Sequence, residues 1–97
     1  MLVMIQSFAN AETEQLFITG KARRLPSDIL KRALVRLGQL HAATRLEDLR
    51  WPQSNRLEAL TGDRVGQHSI RINNQWRLCF RFRDGDAFDV EICDYHH

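Results

Sequence analysis

An α+β fold, with an N-terminal strand and two helices packed on an antiparallel sheet, is the architecture this sequence predicts, and three observations predict it. Helix signals crowd into the first half of the chain and strand signals into the second, the order expected when helices segregate to one side of a sheet. The strand-patterned half is cut by short Asn, Asp and Gly turns rather than by helical crossovers, so its strands pair antiparallel. At 97 residues the chain is sized for one domain, residues 1–97, with a single core. Its 43% hydrophobic and 27% charged residues exclude general disorder.

Val3 to Phe8 reads as a short strand. Asn10 is placed to cap a helix over Glu12 to Thr19, with Gly20 ending it and Leu16 and Phe17 on its apolar side. Ser27 predicts a second N-cap, and Asp28 falls in the first turn, where a negative charge meets the helix dipole. Leu30, Ala33, Leu34, Leu37 and Leu40 follow at helical spacing, while Lys31, Arg32, Arg36 and Gln39 lie elsewhere on the wheel. That helix is amphipathic with a basic exposed side. Residues 42–55 form an irregular connector with one turn around Leu46 to Leu49, and Trp51 is expected in the core. Strands then follow over Arg56 to Leu60, Gln67 to Ile72, Gln75 to Phe82 and Ala87 to Asp94.

Side-chain alternation fixes the hairpin registers. Trp76, Leu78, Phe80 and Phe82 share one face, as do Phe88, Val90 and Ile92, and opposed residues must point the same way. A three-residue Asp84-Gly85-Asp86 loop satisfies this, setting Phe82 opposite Phe88, Arg81 opposite Asp89 and Arg77 opposite Cys93. An Asn73-Asn74-Gln75 loop in the preceding hairpin sets Arg71 against Arg77. Like charges directly opposed are destabilising. An anion bound between the two guanidiniums would relieve the repulsion, and the alternative is that each arginine finds a carboxylate such as Glu58 or Glu91 or splays into water. With Tyr95 and His96 closing the last strand, phosphate chemistry is the main functional signal.

Net charge is only +2. Its distribution says more: Lys21, Arg23, Arg24, Lys31, Arg32 and Arg36 meet one acid, Asp28, between residues 21 and 36. Such a stretch steers anionic partners or forms a solvated helix face. No apolar run approaches the ~18 residues that span a bilayer, and Met1 to Ile5 lack the basic region and cleavage site of a signal peptide. The cytoplasm is the expected location. Cys79 and Cys93 become diagonal cross-strand neighbours at roughly 7–8 Å, too far for comfortable bridging, and read as packed thiols. The histidines, His41, His68, His96 and His97, lack metal-ligand spacing. No metal and no cofactor are expected.

Met4-Ile5-Gln6-Ser7-Phe8, the run Asn55 to Arg64, Ser69-Ile70-Arg71, Trp76-Arg77-Leu78-Cys79-Phe80 and Asp94-Tyr95-His96 together resemble the HigB toxins of the RelE/ParE superfamily. The resemblance begins at Met4, making it a candidate initiator, and ends at His96. It implies a metal-independent endoribonuclease that cuts mRNA in the ribosomal A site and is neutralised by a HigA-like helix-turn-helix antitoxin. It also implies that Asp94, Tyr95, His96 and Arg77 belong to the active site, with Arg64 matching the arginine of the family's Gly-Asp-Arg turn. Some relatives carry histidine and lysine where this chain has Glu58 and Thr61.

On that reading RNA supplies its own 2′-hydroxyl nucleophile, and the protein supplies a base, an acid and cations. His96 suits acid or base work near neutral pH, and Glu58 takes the complementary role or pairs with an arginine. Arg77 and Arg64 hold phosphate oxygens, Tyr95 stacks on a base or donates to the phosphate, and Asp94 orients its neighbours. Lys21, Arg23, Arg24, Lys31, Arg32, Arg36 and Arg71 are the expected RNA- and ribosome-binding set. Two alternatives keep the fold: a ParE-type inhibitor of DNA gyrase, and a non-catalytic module that binds RNA or antitoxin.

Overall fold

A computed structural model describes residues 5–94; the expectations for Val3, Tyr95, His96 and His97 fall outside the described residues. Two helices, α1 (Ala11–Thr19) and α2 (Leu30–Ala42), precede four strands: β1 (Glu58–Ala59), β2 (His68–Arg71), β3 (Trp76–Arg83) and β4 (Asp86–Asp94). The strands form one antiparallel sheet in the order β1-β2-β3-β4.

Both ends of α1 follow from local chemistry. The Asn10 side chain accepts the Thr13 N–H at 2.9 Å, and Gly20 adopts φ 78°, donating its N–H to the Leu16 carbonyl at 2.8 Å. The second helix begins differently from expectation. Ser27 makes no side-chain cap, because Ser27–Ile29 is a 3-10 turn that runs directly into α2. The N–H groups of Ile29 and Leu30 donate instead to the Pro26 and Ser27 carbonyls.

The core lies between the helices and one sheet face. Leu16 of α1 and Ala33, Leu37 and Leu40 of α2 are fully buried against Ile70, Leu78, Phe80 and Val90, with Ile72 and Ile92 beside them. The outer edge of β4 is covered. Thr13 Oγ1 accepts the Ile92 N–H at 3.0 Å, and the N-terminal segment runs parallel to β4, with Gln6 and Ala9 donating to the Ala87 and Val90 carbonyls. Instead of the expected strand, its described part makes only isolated bridges at Ile5 and Phe8.

The β3–β4 hairpin departs from the predicted register near its turn and regains it further on. Its loop is the two-residue Asp84-Gly85, both with positive φ (54° and 85°), which suits the twist of a tight hairpin. Phe82 therefore faces Ala87 and Arg81 faces Phe88, one residue off the expected pairs. An extra residue at Asp89, φ 52°, restores the count as a bulge. Beyond it Leu78 faces Ile92 and Arg77 faces Cys93, as alternation required. Arg81 still meets Asp89, but as a half-exposed 3.4 Å ion pair rather than a register pair.

The connector holds the predicted turn as a 3-10 segment, Leu46–Arg50, with Leu49 buried. Asn55, fully buried, donates from Nδ2 to the Leu49 carbonyl at 3.1 Å and fastens the connector to itself. Leu49 and Asn55 occupy the inward positions, so Trp51 is 67% exposed rather than in the core. Arg56 takes φ 47°, and the strand predicted over Arg56 to Leu60 is correspondingly shortened to Glu58–Ala59.

Candidate functional site

The sheet face turned away from the helices carries most of the charged residues expected in the site. Glu58 faces Ser69 across β1–β2, Ser69 faces Cys79, Arg71 faces Arg77, Arg77 faces Cys93 and Cys79 faces Glu91. These residues alternate with the core set along each strand. Leu60, Cys79 and Cys93 form a small apolar floor on this side, and both cysteines are free thiols. Hydrogen bonding with Cys79 and burial both push the Cys93 thiol up, so it packs as a neutral group.

Arg77 is the anchored centre of this face. Its Nε donates to Ser69 Oγ at 2.6 Å, its Nη2 donates to the Arg56 carbonyl at 2.7 Å, and Glu58 Oε1 lies 3.7 Å from Nη2. The left-handed kink at Arg56 belongs to the same arrangement, since that residue's carbonyl receives the guanidinium. The Arg77 side chain is only 11% exposed and that of Glu58 48%. The bonds to Ser69 and Arg56 fix the guanidinium, whereas the exposed carboxylate contact is worth at most ~1 kcal/mol.

Arg64 reaches the same face from the 3-10 turn Gly62–Arg64. Its Nη1 donates to Glu91 Oε1 at 3.1 Å and to Gln67 Oε1 at 3.0 Å. Burial opposes its charge, but the hydrogen bond to the Glu91 carboxylate and that group's negative charge favour it and raise its pKa. It is a fixed cation.

The structure brings Arg77, Glu58 and Arg64 onto one face and separates other expected members. Arg71 and Arg77 are register partners, as alternation required, but their guanidiniums part. Arg71 Nη2 bonds Asn74 Oδ1, while Arg77 turns toward Ser69 and Arg56. The carboxylate alternative holds for Arg77 through Glu58, and Glu91 is taken by Arg64. Asp94 faces Trp76 and accepts from Gln75 Nε2 at 3.0 Å, which places it on the alternate face of β4 from Cys93. Tyr95 and His96 lie outside the described residues. Lys21, Arg23 and Arg24 are exposed in the loop between the helices, Lys31 and Arg32 are exposed on α2, and Arg36 is half-buried.

Sequence reasoning missed Ser69 and the Arg56 carbonyl. Ser69 was legible in principle, being a small polar residue at the register position between Glu58 and Cys79. It also missed the groove beneath β1, about 470 Å³, where Glu58 and His68 meet Glu47, Arg50 and Gln53 over Leu46 and Leu57. Among the described residues, no three His, Cys, Asp or Glu side chains cluster as metal ligands, and no helix is long and apolar enough to cross a membrane.

The chain is matched over residues 6–96 by a family described as the RelE-like toxin of the type II toxin-antitoxin system HigB. The class is therefore a RelE-like toxin. Within it, the chain belongs to the HigB-like toxins. It is 36% identical over 93 residues to the protein named Endoribonuclease HigB of Proteus vulgaris, covering 96% of this chain and all of that one. It is 40% identical over 90 residues to Toxin HigB-1 of Vibrio cholerae, covering 92% and 95%. A solved YoeB-YefM complex from Staphylococcus aureus contains a chain that matches over the full length of both at TM-score 0.60 and 17% identity, a likeness of fold.

Proposed function

We propose that this toxin is an endoribonuclease that cuts translated mRNA in the ribosomal A site, using the RNA 2′-hydroxyl as nucleophile and requiring no metal. The observation that carries the reading is Arg77: a guanidinium held in place by Ser69 and the Arg56 carbonyl, with its ion pair to the exposed Glu58 carboxylate long at 3.7 Å. A scissile phosphate replacing the Glu58 contact meets a donor that needs no reorganisation, the condition under which such donors are worth most.

The 2′-hydroxyl loses its proton to a base and attacks phosphorus. The 5′-oxygen leaves with a proton from an acid, and a 2′,3′-cyclic phosphate remains. Arg77 and Arg64 carry the charge that builds on the non-bridging oxygens. Glu58, freed as the phosphate takes Arg77, is the base, and His96 is the acid. Tyr95 stacks on a base flanking the cut, and Asp94 orients the chain end. Lys21, Arg23, Arg24, Lys31 and Arg32 supply a basic surface toward ribosomal RNA, and a HigA-like helix-turn-helix antitoxin neutralises the protein. Action on the ribosome places it in the cytoplasm.

The experiment is reporter-message cleavage in a coupled translation system, set beside a gyrase supercoiling assay. Cleavage that requires ribosomes, with gyrase unaffected, is the expected result. Gyrase inhibition without cleavage favours the ParE-type reading, and neither effect favours a binding module.

A further inference from the structure

The groove of about 470 Å³ beneath β1 holds polar side chains that take no part in anchoring Arg77 or Arg64. Glu47, Arg50 and Gln53 of the connector form one wall, and Glu58 and His68 of the sheet edge form the other. Leu46 and Leu57, both half-buried, supply apolar surface between them. Among the described residues, the side chains of Glu47, Arg50 and Gln53 have no hydrogen-bond or ion-pair partner. His68 Nδ1 is buried and equally without one.

A folded chain rarely leaves a buried polar atom unsatisfied, and a ligand is one way to satisfy it. The charges say which kind of ligand. Two carboxylates, Glu47 and Glu58, oppose one guanidinium, Arg50, so the groove disfavours a phosphate group. It suits a flat, neutral group with hydrogen-bond donors on its edge. Bases of single-stranded RNA have this form: they stack on guanidinium planes and are read along their edges.

We propose that this groove binds the RNA base on the 5′ side of the cut and selects adenine, cytosine or guanine over uracil. The proposal rests on the reading of this chain as an RNA-cutting toxin. Glu58 lines the groove and also lies 3.7 Å from Arg77 Nη2, so the groove begins where the phosphate site ends. In that reading Glu58 takes the proton of the attacking 2′-hydroxyl, and the ribose bearing that hydroxyl carries the base nearest the groove. Arg50 stacks on this base, and Glu47 reads its edge. A carboxylate accepts hydrogen bonds and donates none. Adenine, cytosine and guanine each offer it an exocyclic amino group, whereas uracil offers a single N–H flanked by two carbonyl oxygens that a carboxylate repels.

The test uses the full chain on ribosomes carrying messages that differ only in the base 5′ to the cut, with the cut mapped by primer extension. Single-turnover cleavage should be about tenfold slower with uridine there than with the other bases, the effect of one hydrogen bond to a charged group. Glu47 is exposed, so Glu47→Gln leaves the core undisturbed. Its amide both donates and accepts, and the uridine deficit should shrink to about twofold. Glu14→Gln removes an exposed carboxylate of α1, outside the groove, and should keep the wild-type ratio. The same messages with a 2′-O-methyl group at the cut cannot be cleaved, and toxin binding to ribosomes that carry them should show the same preference.

Equal cleavage of all the messages by the wild type, or a uridine deficit that survives in Glu47→Gln, overturns the proposal. So does a Glu47→Gln protein that keeps the base preference and loses antitoxin capture, which makes the groove a protein-docking site. Failure of the functional reading looks different. A wild type that cuts no message, yet binds the uncuttable ones with a preference that Glu47→Gln erases, loses the nuclease and keeps the base site. If that binding shows no preference either, the base site falls with the nuclease.

Discussion

The two faces of the sheet are written in alternate residues of the same strands, yet they solve opposite problems. On the helix side Ile70, Leu78, Phe80 and Val90 are fully buried, and the interactions are apolar and non-directional. On the other side Arg77, Arg64 and Glu91 sit half-buried over two cysteines with Glu58 exposed beside them, and the contacts among the charged groups are directional. The difference teaches where stability and chemistry reside. The first face fixes the fold, and the second holds Arg77 and Arg64 in place by hydrogen bonds to its own side chains and backbone. Substitutions on the two faces should therefore separate stability from activity.

The sharpest break is Arg77→Ala, which should abolish message cleavage and growth inhibition. On sequence grounds alone an arginine facing Arg71 looks cheap to remove. The structure corrects this: Arg77 is 11% exposed and bonded to Ser69 and Arg56, so its loss should also cost about 1–3 kcal/mol. Thermal unfolding beside single-turnover cleavage measures both effects, and full toxicity in a soluble Arg77→Ala protein ends the phosphate assignment. Deleting His96 and His97 should lower cleavage ~10²–10⁴-fold while leaving thermal stability and antitoxin capture in place. Near-normal cleavage by that truncation would reassign the acid to Glu58 or Tyr95.

The opposite face should show the converse. Leu37 is fully buried among Leu16, Phe80 and their neighbours, so Leu37→Ala should cost about 2–5 kcal/mol. Below the unfolding transition its cleavage per folded molecule should match wild type. A cleavage loss larger than the loss of folded protein would mean that the faces are coupled, contrary to the separation argued here.

Which parts of this were legible in sequence follows from how local each cause is. The Asn10 and Gly20 caps, the α2 stripe and the Arg71/Arg77 pairing depend on spacing alone. The hairpin slip was not legible, because a two-residue turn plus a bulge at Asp89 and a three-residue turn without one give the same pairing beyond it. Trp51 was misplaced because only the folded connector shows that Leu49 and Asn55 take the inward positions. In the site, alternation gave the face of each arginine but not the direction of its guanidinium. That direction depends on Ser69, on the Arg56 carbonyl and on the early end of β1, all tertiary facts.

The smallest expected effect comes from a residue in neither face and calibrates the other three. Asp48 Oδ2 accepts the N–H groups of Arg45 (3.1 Å) and Thr44 (3.0 Å) and the Thr44 hydroxyl (3.2 Å), closing the connector turn. The Arg45 N–H first, then the Thr44 N–H, hold its carboxyl below the usual range. A carboxylate whose folded pKa is depressed contributes stability that is present above its unfolded pKa and lost as pH falls through the folded one. Asp48→Asn should therefore lower the melting temperature slightly at neutral pH, and the gap from wild type should close as the pH falls from about 5 toward about 2. Cleavage at neutral pH should not change, since the connector turn touches neither Arg77 nor Arg64. A melting-temperature gap that stays constant into acid would show that the charge of Asp48 is not what the turn uses, and a cleavage loss would make closure of the turn itself a requirement for cutting.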